Sequence, residues 1–241
     1  RRKPAEARAA LNRAQRLRQQ LADEHPGELR HRYAPGESLI ALGMVQNYAG
    51  DAAAAQKSIE AGCQILEELI RDNPRATRIE MNLAWAYQQL AAVHVTSGQP
   101  AAALGCFNKG LRIQERLARE YPAVSEFLTT CAESYRVLGD SLARAGSSDQ
   151  AATAYGKAID LLKTGAATVP HEPAYREALA TSQAALAGWH YQRGRAGQSR
   201  RDWDAAAESF TAALALFREA FGGEHPKVAK SLRRLAGAEA G

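Results

Sequence analysis

The chain has 241 residues, of which 46% are hydrophobic and 24% are charged, a balance typical of a folded protein rather than a disordered one. No apolar run reaches the roughly 18 residues that span a bilayer, so no membrane-spanning segment is predicted. The formal net charge of +5 is concentrated towards the two ends of the chain, and the middle is close to neutral. This distribution disfavours a continuous nucleic-acid surface.

Cysteine usage argues against both disulfides and zinc. The three cysteines are Cys63, Cys106 and Cys131, an odd number with no close pair. We predict three half-buried free thiols in a reducing compartment, the cytoplasm. No cofactor and no metal site are predicted.

An internal repeat is marked by proline and glycine. Four prolines recur every 48 residues, and a fifth follows after 56: they are Pro26, Pro74, Pro122, Pro170 and Pro226. A glycine lies 24 residues after each of the first four: Gly50, Gly98, Gly146 and Gly194. These residues predict two connections per repeat, and therefore two helices of about 22 residues each.

The predicted organisation begins inside a repeat. Residues 1–25 match the second helix of a repeat whose first helix is missing, and the chain lacks an initiator Met, so we expect a fragment of a longer protein. The predicted repeats are 26–73, 74–121, 122–169 and 170–225, followed by a C-terminal helix at 226–241.

Two departures from the period are expected. Pro35-Gly36 should shorten or break the first helix of repeat 1, because the residue before a proline avoids helical geometry. The extra length of repeat 4 should form a loop insertion at 195–202.

Helix faces can be read from the spacing of small and large residues. In each second helix an alanine precedes a large residue by four positions, which predicts one packing face. The alanines are Ala55, Ala103, Ala151 and Ala206, and the large residues are Ile59, Phe107, Tyr155 and Phe210.

These repeats resemble the tetratricopeptide repeat, whose pattern has an aromatic residue, Leu-Gly, a turn glycine, and then Ala-x3-aromatic-x2-Ala. Repeat 3 carries that pattern at Tyr135, Leu138, Gly139, Gly146, Ala151, Tyr155 and Ala158. The resemblance implies an all-α fold, a right-handed superhelical solenoid of antiparallel helix pairs. A period of 48 residues, against about 34 in the family, implies lengthened helices.

Two segments are similar to particular subgroups. Residues 111–127 resemble the repeats found behind serine/threonine kinase domains in planctomycetes and related bacteria, and residues 222–232 resemble the kinesin-light-chain type of repeat. The first resemblance implies a bacterial chain associated with a kinase.

No catalytic constellation is present in the sequence, so the chain is not predicted to be an enzyme. His94 and His190 occupy equivalent repeat positions and are predicted to pack between helices. Asp202 and Asp204 flank Trp203 at the start of a second helix, where acidic residues complement the helix dipole.

The resemblance places a partner-binding groove on the first helix of each repeat. The matching residues are Glu37, Met44, Asn47, Tyr48, Trp85, Gln88, Gln89, Thr96, Glu133, Arg136, Asp140, Arg144, Thr181, Tyr191 and Gln192. Where some family members hold a carboxylate with Lys and Asn, repeat 1 has Ile40 and Met44, which disfavours an adaptor of that kind.

Several of these groove residues have two interpretations. Trp85 is either a binding anchor or a residue packed against the next repeat. Arg136 and Arg144 either bind a partner's carboxylate or pair with Glu133 and Asp140 on their own helix.

Three functions are compatible with these features. The leading one is a protein-interaction scaffold that binds a protein or peptide segment, from another protein or from its own full-length chain. The second is a structural or homo-oligomerisation module that uses Val228, Leu232 and Leu235 on one face of the last helix. The third is RNA binding through Arg1-Arg2-Lys3 and Arg193, Arg195, Arg200 and Arg201; the long repeat and the near-neutral to slightly acidic middle disfavour it.

Overall fold

A computed structural model describes the backbone of residues 2–197 and 200–239 and the side chains from Glu6 onward. This part of the chain contains ten α-helices and no strand. The helices are α1 (Arg2–Glu24), α2 (Leu29–Tyr48), α3 (Ala52–Asp72), α4 (Thr77–Thr96), α5 (Pro100–Glu120), α6 (Ser125–Arg144), α7 (Ser148–Thr168), α8 (Pro173–Arg195), α9 (Arg200–Phe221) and α10 (Pro226–Glu239). The predicted all-α class is confirmed, whereas the right-handed superhelical twist stays a prediction.

The helices form two compact units that divide within α5. The N-terminal unit is Arg1–Gln114 and the C-terminal unit is Glu115–Gly241. In each unit, helices joined by short loops pack as antiparallel pairs. In the N-terminal unit, Gly36 lies against Gly62, whereas Gly43, later in the same helix, lies against Ala55. The two helices of this pair therefore run in opposite directions.

Small residues bring the paired helices close together. A Cβ atom on Gly43 of α2 would lie 2.5 Å from Ile59 Cγ1 and 2.8 Å from the Ala55 carbonyl oxygen of α3. In the C-terminal unit, a Cβ on Gly139 would lie 2.8 Å from Cε1 of the buried Tyr155 ring. Backbone and side chain thus meet directly. The predicted packing face of the second helices is confirmed, because its alanines and large residues are all buried.

Two tyrosines on first helices each contact the second helix before them and the second helix after them. The Tyr87 hydroxyl of α4 donates a hydrogen bond to Glu67 of α3, and the Lys109 ammonium of α5 lies 5.2 Å from the centre of the tyrosine ring. The same arrangement recurs 48 residues later, in Tyr135, Glu115 and Lys157. Burial, reinforced by the bond to glutamate, raises the pKa of both tyrosines, so they stay neutral donors.

Proline and glycine end the helices largely as predicted. The first four prolines of the repeat lie in loops, and Gly50, Gly98 and Gly146 have positive φ angles of 87°, 70° and 78° just after a first helix. Gly194, predicted at the same kind of connection, lies inside α8, and Gly197, with φ of 76°, makes the turn. A Cβ on Gly194 would lie 2.6 Å from the Trp203 ring, which explains the glycine there.

The predicted break at Pro35 is wrong, because α2 runs unbroken from Leu29 to Tyr48 with Pro35 inside it. Both Pro35 and Gly36 are buried, and a Cβ on Gly36 would lie 3.2 Å from the Gly62 carbonyl oxygen of α3. Packing of α2 on α3 therefore overrides the local cost of an interior proline.

The predicted loop at 195–202 is also largely wrong. Arg195 ends α8, and Arg200, Arg201 and Asp202 open α9, so most of the predicted loop is helical; Gln198 and Ser199 lie outside the described residues. Three of the extra residues lengthen α8, which has 23 residues where α2, α4 and α6 have 20. In the described part of the chain, no helix is both long and apolar enough to cross a membrane.

The close approach of α6 and α7 gives a stability test. Replacing Gly139 with alanine should lower the free energy of unfolding by about 1–3 kcal/mol, because the added methyl group meets the fixed Tyr155 ring. As a matched control, Gly156→Ala in α7 meets no atom within 4 Å and should raise it by about 0.5–1 kcal/mol through helix propensity. Urea unfolding followed by circular dichroism measures both, and equal effects of the two substitutions would contradict the close packing.

Candidate functional site

In the N-terminal unit, the candidate residues share one surface of α2 and α4, which we call the α2–α4 face. The Asn82 amide donates a 2.7 Å hydrogen bond to Glu37, and the Thr96 hydroxyl donates a 3.0 Å bond to Asn47. The first bond crosses from α4 to α2 in the N-terminal halves of the helices, and the second crosses near their C-terminal ends. They fix the spacing of the two helices beneath any ligand.

Large side chains stand exposed on this face. Trp85 is 41% exposed, Met44 37% and Tyr48 86%. Gln88 and Gln89 are partly exposed beside them. The two interpretations of Trp85 both hold in part, because more than half of its side chain is covered while a substantial part remains open to solvent.

In the C-terminal unit, the corresponding surface of α6 and α8 contains a cavity of about 710 Å³, which we call the α6–α8 cavity. Its lining combines arginines, aromatic rings and small residues. The residues are Arg136, Asp140, Ala143, Arg144, Gly146, Ser148, Tyr155, Ala184, Ala185, Gly188, Trp189, Gln192, Arg193, Ala196 and Arg234. The structure thus brings together four of the predicted groove residues, Arg136, Asp140, Arg144 and Gln192.

Arg136 is engaged within its own helix. Its guanidinium donates to both oxygens of Glu133 and, at 2.7 Å, to Asp140 Oδ2. The bond to Glu133 is the main cause that raises the pKa of Arg136. The second oxygen of Asp140 accepts a 2.6 Å hydrogen bond from the Tyr155 hydroxyl. Internal pairing is therefore the state of Arg136 in the free chain.

Arg144 and Arg234 differ from Arg136. Arg144 makes one long contact, 3.5 Å to the Ser141 hydroxyl, and no acidic group among the described residues lies within ion-pair distance of it. Arg234 comes from α10 and crosses α8 where a Cβ on Gly188 would lie 3.2 Å from its Nη1 atom. It too has no ion pair in the described part of the chain. Both guanidinium groups are exposed at the cavity.

A cluster around Trp189 forms another wall, and sequence reasoning missed it. The Arg193 guanidinium lies 4.8 Å from the centre of the Trp189 ring, and its Nε lies 3.2 Å from Oδ1 of the buried Asp202. His190 Nδ1 lies 3.4 Å from the same oxygen. The spacing of Trp189 and Arg193, one helical turn apart, was the available signal. Asp202 lies in the first turn of α9, as predicted, but its carboxylate also forms the ion pair with Arg193 and lies beside His190.

Small residues on α8 create the space of the cavity. Ala184, Ala185 and Gly188 stand at the repeat positions that α6 fills with Arg136, Val137 and Asp140. The α8 surface is therefore recessed where its neighbour projects.

Three predicted groove residues of this unit do not line the cavity, and one of them, Glu133, is the partner of Arg136 described above. Thr181 lines a smaller space of about 260 Å³ between α8 and α10. Tyr191 packs into the core, with its ring edge-on to Trp203 at 5.2 Å and near Phe210 at 6.4 Å. Packing against α9 explains why Tyr191 is not part of the groove surface.

The apolar stripe of α10 is covered by its own chain. Val228 is fully buried against Phe217 and Leu214 of α9, and Leu235 packs on the same cores. Only Leu232 of the three predicted oligomerisation residues is exposed. This removes most of the surface on which an oligomerisation module was predicted.

The thiols are buried and unpaired. Burial raises the pKa of Cys63 and Cys131 to about 12 and also raises that of Cys106, so all three stay protonated. His94 is buried and its Nδ1 lies 2.8 Å from Gln99 Oε1, which confirms its packing role. No group of three or more potential metal ligands occurs among the described residues.

His190 predicts a pH dependence of stability. Burial lowers its pKa in the folded state, an effect only partly opposed by Asp202. Stability is therefore full above the unfolded value near 6.5 and falls as the pH drops below it, because the unfolded chain binds the proton more readily. Urea unfolding between about pH 7 and pH 5 should show a smaller loss for His190→Gln than for the parent. The exposed loop residue His171, changed to Gln, is the control, and an equal reduction there would refute the assignment.

Comparison with known proteins gives structural likeness only. No family model matches the chain, and no curated protein matches it. The crystal structure of BtubC (BKLC) from P. vanneervenii is similar with a TM-score of 0.54, at 15% identity over 98% of this chain and 91% of that one. TTC0263, a thermophilic TPR protein of Thermus thermophilus, gives 0.35 at 20% identity over 85% and 99%, and the designed helical repeat protein DHR64 gives 0.27 at 12% over 98% and 95%. The likeness to BtubC concerns the fold, and the last two scores are too low to carry an argument.

Proposed function

We propose that the chain is a non-catalytic scaffold that binds an extended peptide segment of another protein on the exposed faces of its first helices. The observation that carries the proposal is the exposure of Trp85, Met44 and Tyr48 on the α2–α4 face. A partly covered tryptophan on a fixed helix surface is a typical binding anchor. Little side-chain entropy is lost when a ligand packs on it, because the tryptophan is already held in place.

The α2–α4 face also offers polar groups beside its anchors. Hydrogen-bonding capacity for a peptide backbone remains on Glu37 and Asn82 in the N-terminal halves of the helices. It also remains on Asn47 and Thr96 near their C-terminal ends. An apolar centre with a polar surround is the usual composition of a peptide-binding surface.

Three further parts of the proposed function rest on sequence features rather than on the exposed helix faces. Association with a kinase, a bacterial source and a cytoplasmic location are proposals that follow from the sequence resemblance and, for the location, from the three buried free thiols. A segment of the same full-length chain is the alternative ligand for the groove.

RNA binding would depend on a small group of exposed arginines. Arg193 is occupied by Asp202 and Trp189, whereas Arg195, Arg200 and Arg201 remain exposed. The side chains of Arg1, Arg2 and Lys3 lie outside the described residues.

The test begins with peptides selected from a randomised display library on the chain. Fluorescence anisotropy should show that Trp85→Ala weakens the selected peptides by at least about thirtyfold, the loss expected of a central anchor. Leu104→Ala is the matched control, because Leu104 is 39% exposed and lies on α5, which packs on the side of α4 formed by Ala84 and Tyr87. It should change the affinity by less than about threefold.

Peptides that bind the parent and the Trp85 variant equally would contradict the proposal. So would light scattering that shows a dimer whose formation shields Trp85 from a fluorescence quencher, since the exposed face would then be a subunit interface.

A further inference from the structure

We propose that the α6–α8 cavity of the C-terminal unit binds an acidic protein segment, with Arg144 and Arg234 holding its side-chain carboxylates. The inference rests on the proposed scaffold function and adds the chemistry of one partner. It concerns a different surface from the α2–α4 face, so the two can be tested separately.

The charge balance of the cavity favours an acidic ligand. Asp140 already accepts bonds from Arg136 and Tyr155, and Glu133 is held by Arg136. The acidic groups nearest the cavity are thus engaged. Arg144 and Arg234 bring positive charge that no acidic residue in the described part of the chain neutralises.

The shape of the cavity suits an extended peptide. Arg144 lies at the end of α6 and Arg234 comes from α10, so two helices contribute guanidinium groups to one recess. Arg234 itself lies over Gly188, and the recessed surface of Ala184 and Ala185 beside it leaves room for an extended chain. A planar guanidinium donates two parallel hydrogen bonds to a carboxylate, which gives both strength and orientation.

The cavity arginines lie near aromatic side chains. The positive charge of Arg144, together with that of Arg136, acts at the Tyr155 hydroxyl, where it opposes the rise in pKa caused by burial. Trp189 forms an apolar wall whose ring is covered by Arg193. The Trp189 ring gives a peptide an apolar surface to pack on beside the two exposed arginines.

Comparison of the repeats shows that this chemistry is local. Tyr48 and Thr96 stand at the repeat positions of Arg144 on α2 and α4. The α2–α4 face therefore has no cation at the position that distinguishes the cavity, and it is not expected to select acidic peptides.

A protein segment fits better than a nucleic acid. Glu133, Asp140 and Glu177 lie on the same helices and interrupt the positive surface. A phosphate backbone requires a continuous basic track, whereas a peptide can place its carboxylates at two separate arginines.

The experiment uses the 241-residue chain and a fluorescein-labelled peptide of about ten residues in which Glu alternates with Ala. A Gln/Ala peptide, a phosphoserine/Ala peptide and an oligouridine of similar length are compared by anisotropy at about 50 and 300 mM salt. The Glu/Ala peptide should bind best and weaken as salt rises. The double variant Arg144→Glu, Arg234→Glu should weaken it by at least about tenfold.

Two matched variants test the mechanism. Arg112→Glu with Arg218→Glu changes the net charge equally at two exposed arginines of second helices, and should alter binding by less than about threefold. Ala185→Trp fills the recess while keeping both cavity arginines, and should also abolish binding. Circular dichroism and urea unfolding confirm that each variant is folded.

Three results would overturn the inference. The matched charge variant could lose as much affinity as the cavity variant, which would indicate unspecific attraction. The Gln/Ala peptide could bind as well as the Glu/Ala peptide. The oligouridine or the phosphoserine peptide could bind more tightly and depend on the same arginines, which would assign the cavity to phosphate. If the Trp85-dependent library peptides still bind in any of these cases, the proposed scaffold function stands and only the inference falls.

Discussion

The direct contact between paired helices is the constraint on which the rest of the structure depends. Glycine at positions 43 and 139 lets a first helix approach its second helix until backbone and side chain touch. Because the helices are so close, the residues that face away from the partner have fixed positions. The exposed faces of α2, α4, α6 and α8 are therefore rigid surfaces built on helices rather than on loops.

The same contact explains how one repeat differs chemically from another. Positions that face the partner helix must be small or large in a set pattern, whereas positions on the opposite surface are free to vary. Tyr48, Thr96, Arg144 and Gln192 occupy one such free position in successive repeats. The fold can thus carry an aromatic surface in one unit, with no cation at this position, and a cationic recess in the other with little change to its core.

Much of the fold could be predicted from the sequence because it is encoded locally and repeatedly. The 48-residue recurrence of proline located the loops, and the spacing from alanine to a large residue located the packing faces. The errors arose where distant contacts decide the outcome. Pro35 stays helical because α3 packs against its helix, and Gly194 is buried because Trp203 lies over it. The helix propensity of a single segment does not predict such contacts between distant residues.

The candidate site was predictable only in part for the same reason. Repeat position identified Arg136 and Arg144 as surface residues, but it did not show that Arg136 is saturated by Glu133 and Asp140 while Arg144 is not. Arg234 was missed altogether, because α10 is distant in sequence and its path over Gly188 is a tertiary feature.

The path of Arg234 couples the cavity to the edge of the C-terminal unit. The helix that supplies this guanidinium also covers Phe217 and Phe210 through Val228 and Ala238. Detachment of α10 would open the core and dismantle the cavity in the same event. Any ligand that contacts Arg234 therefore binds only the docked form of α10, and by mass action it shifts the equilibrium of α10 towards the packed state. Occupancy of the recess and local order at the C-terminal edge are thermodynamically linked.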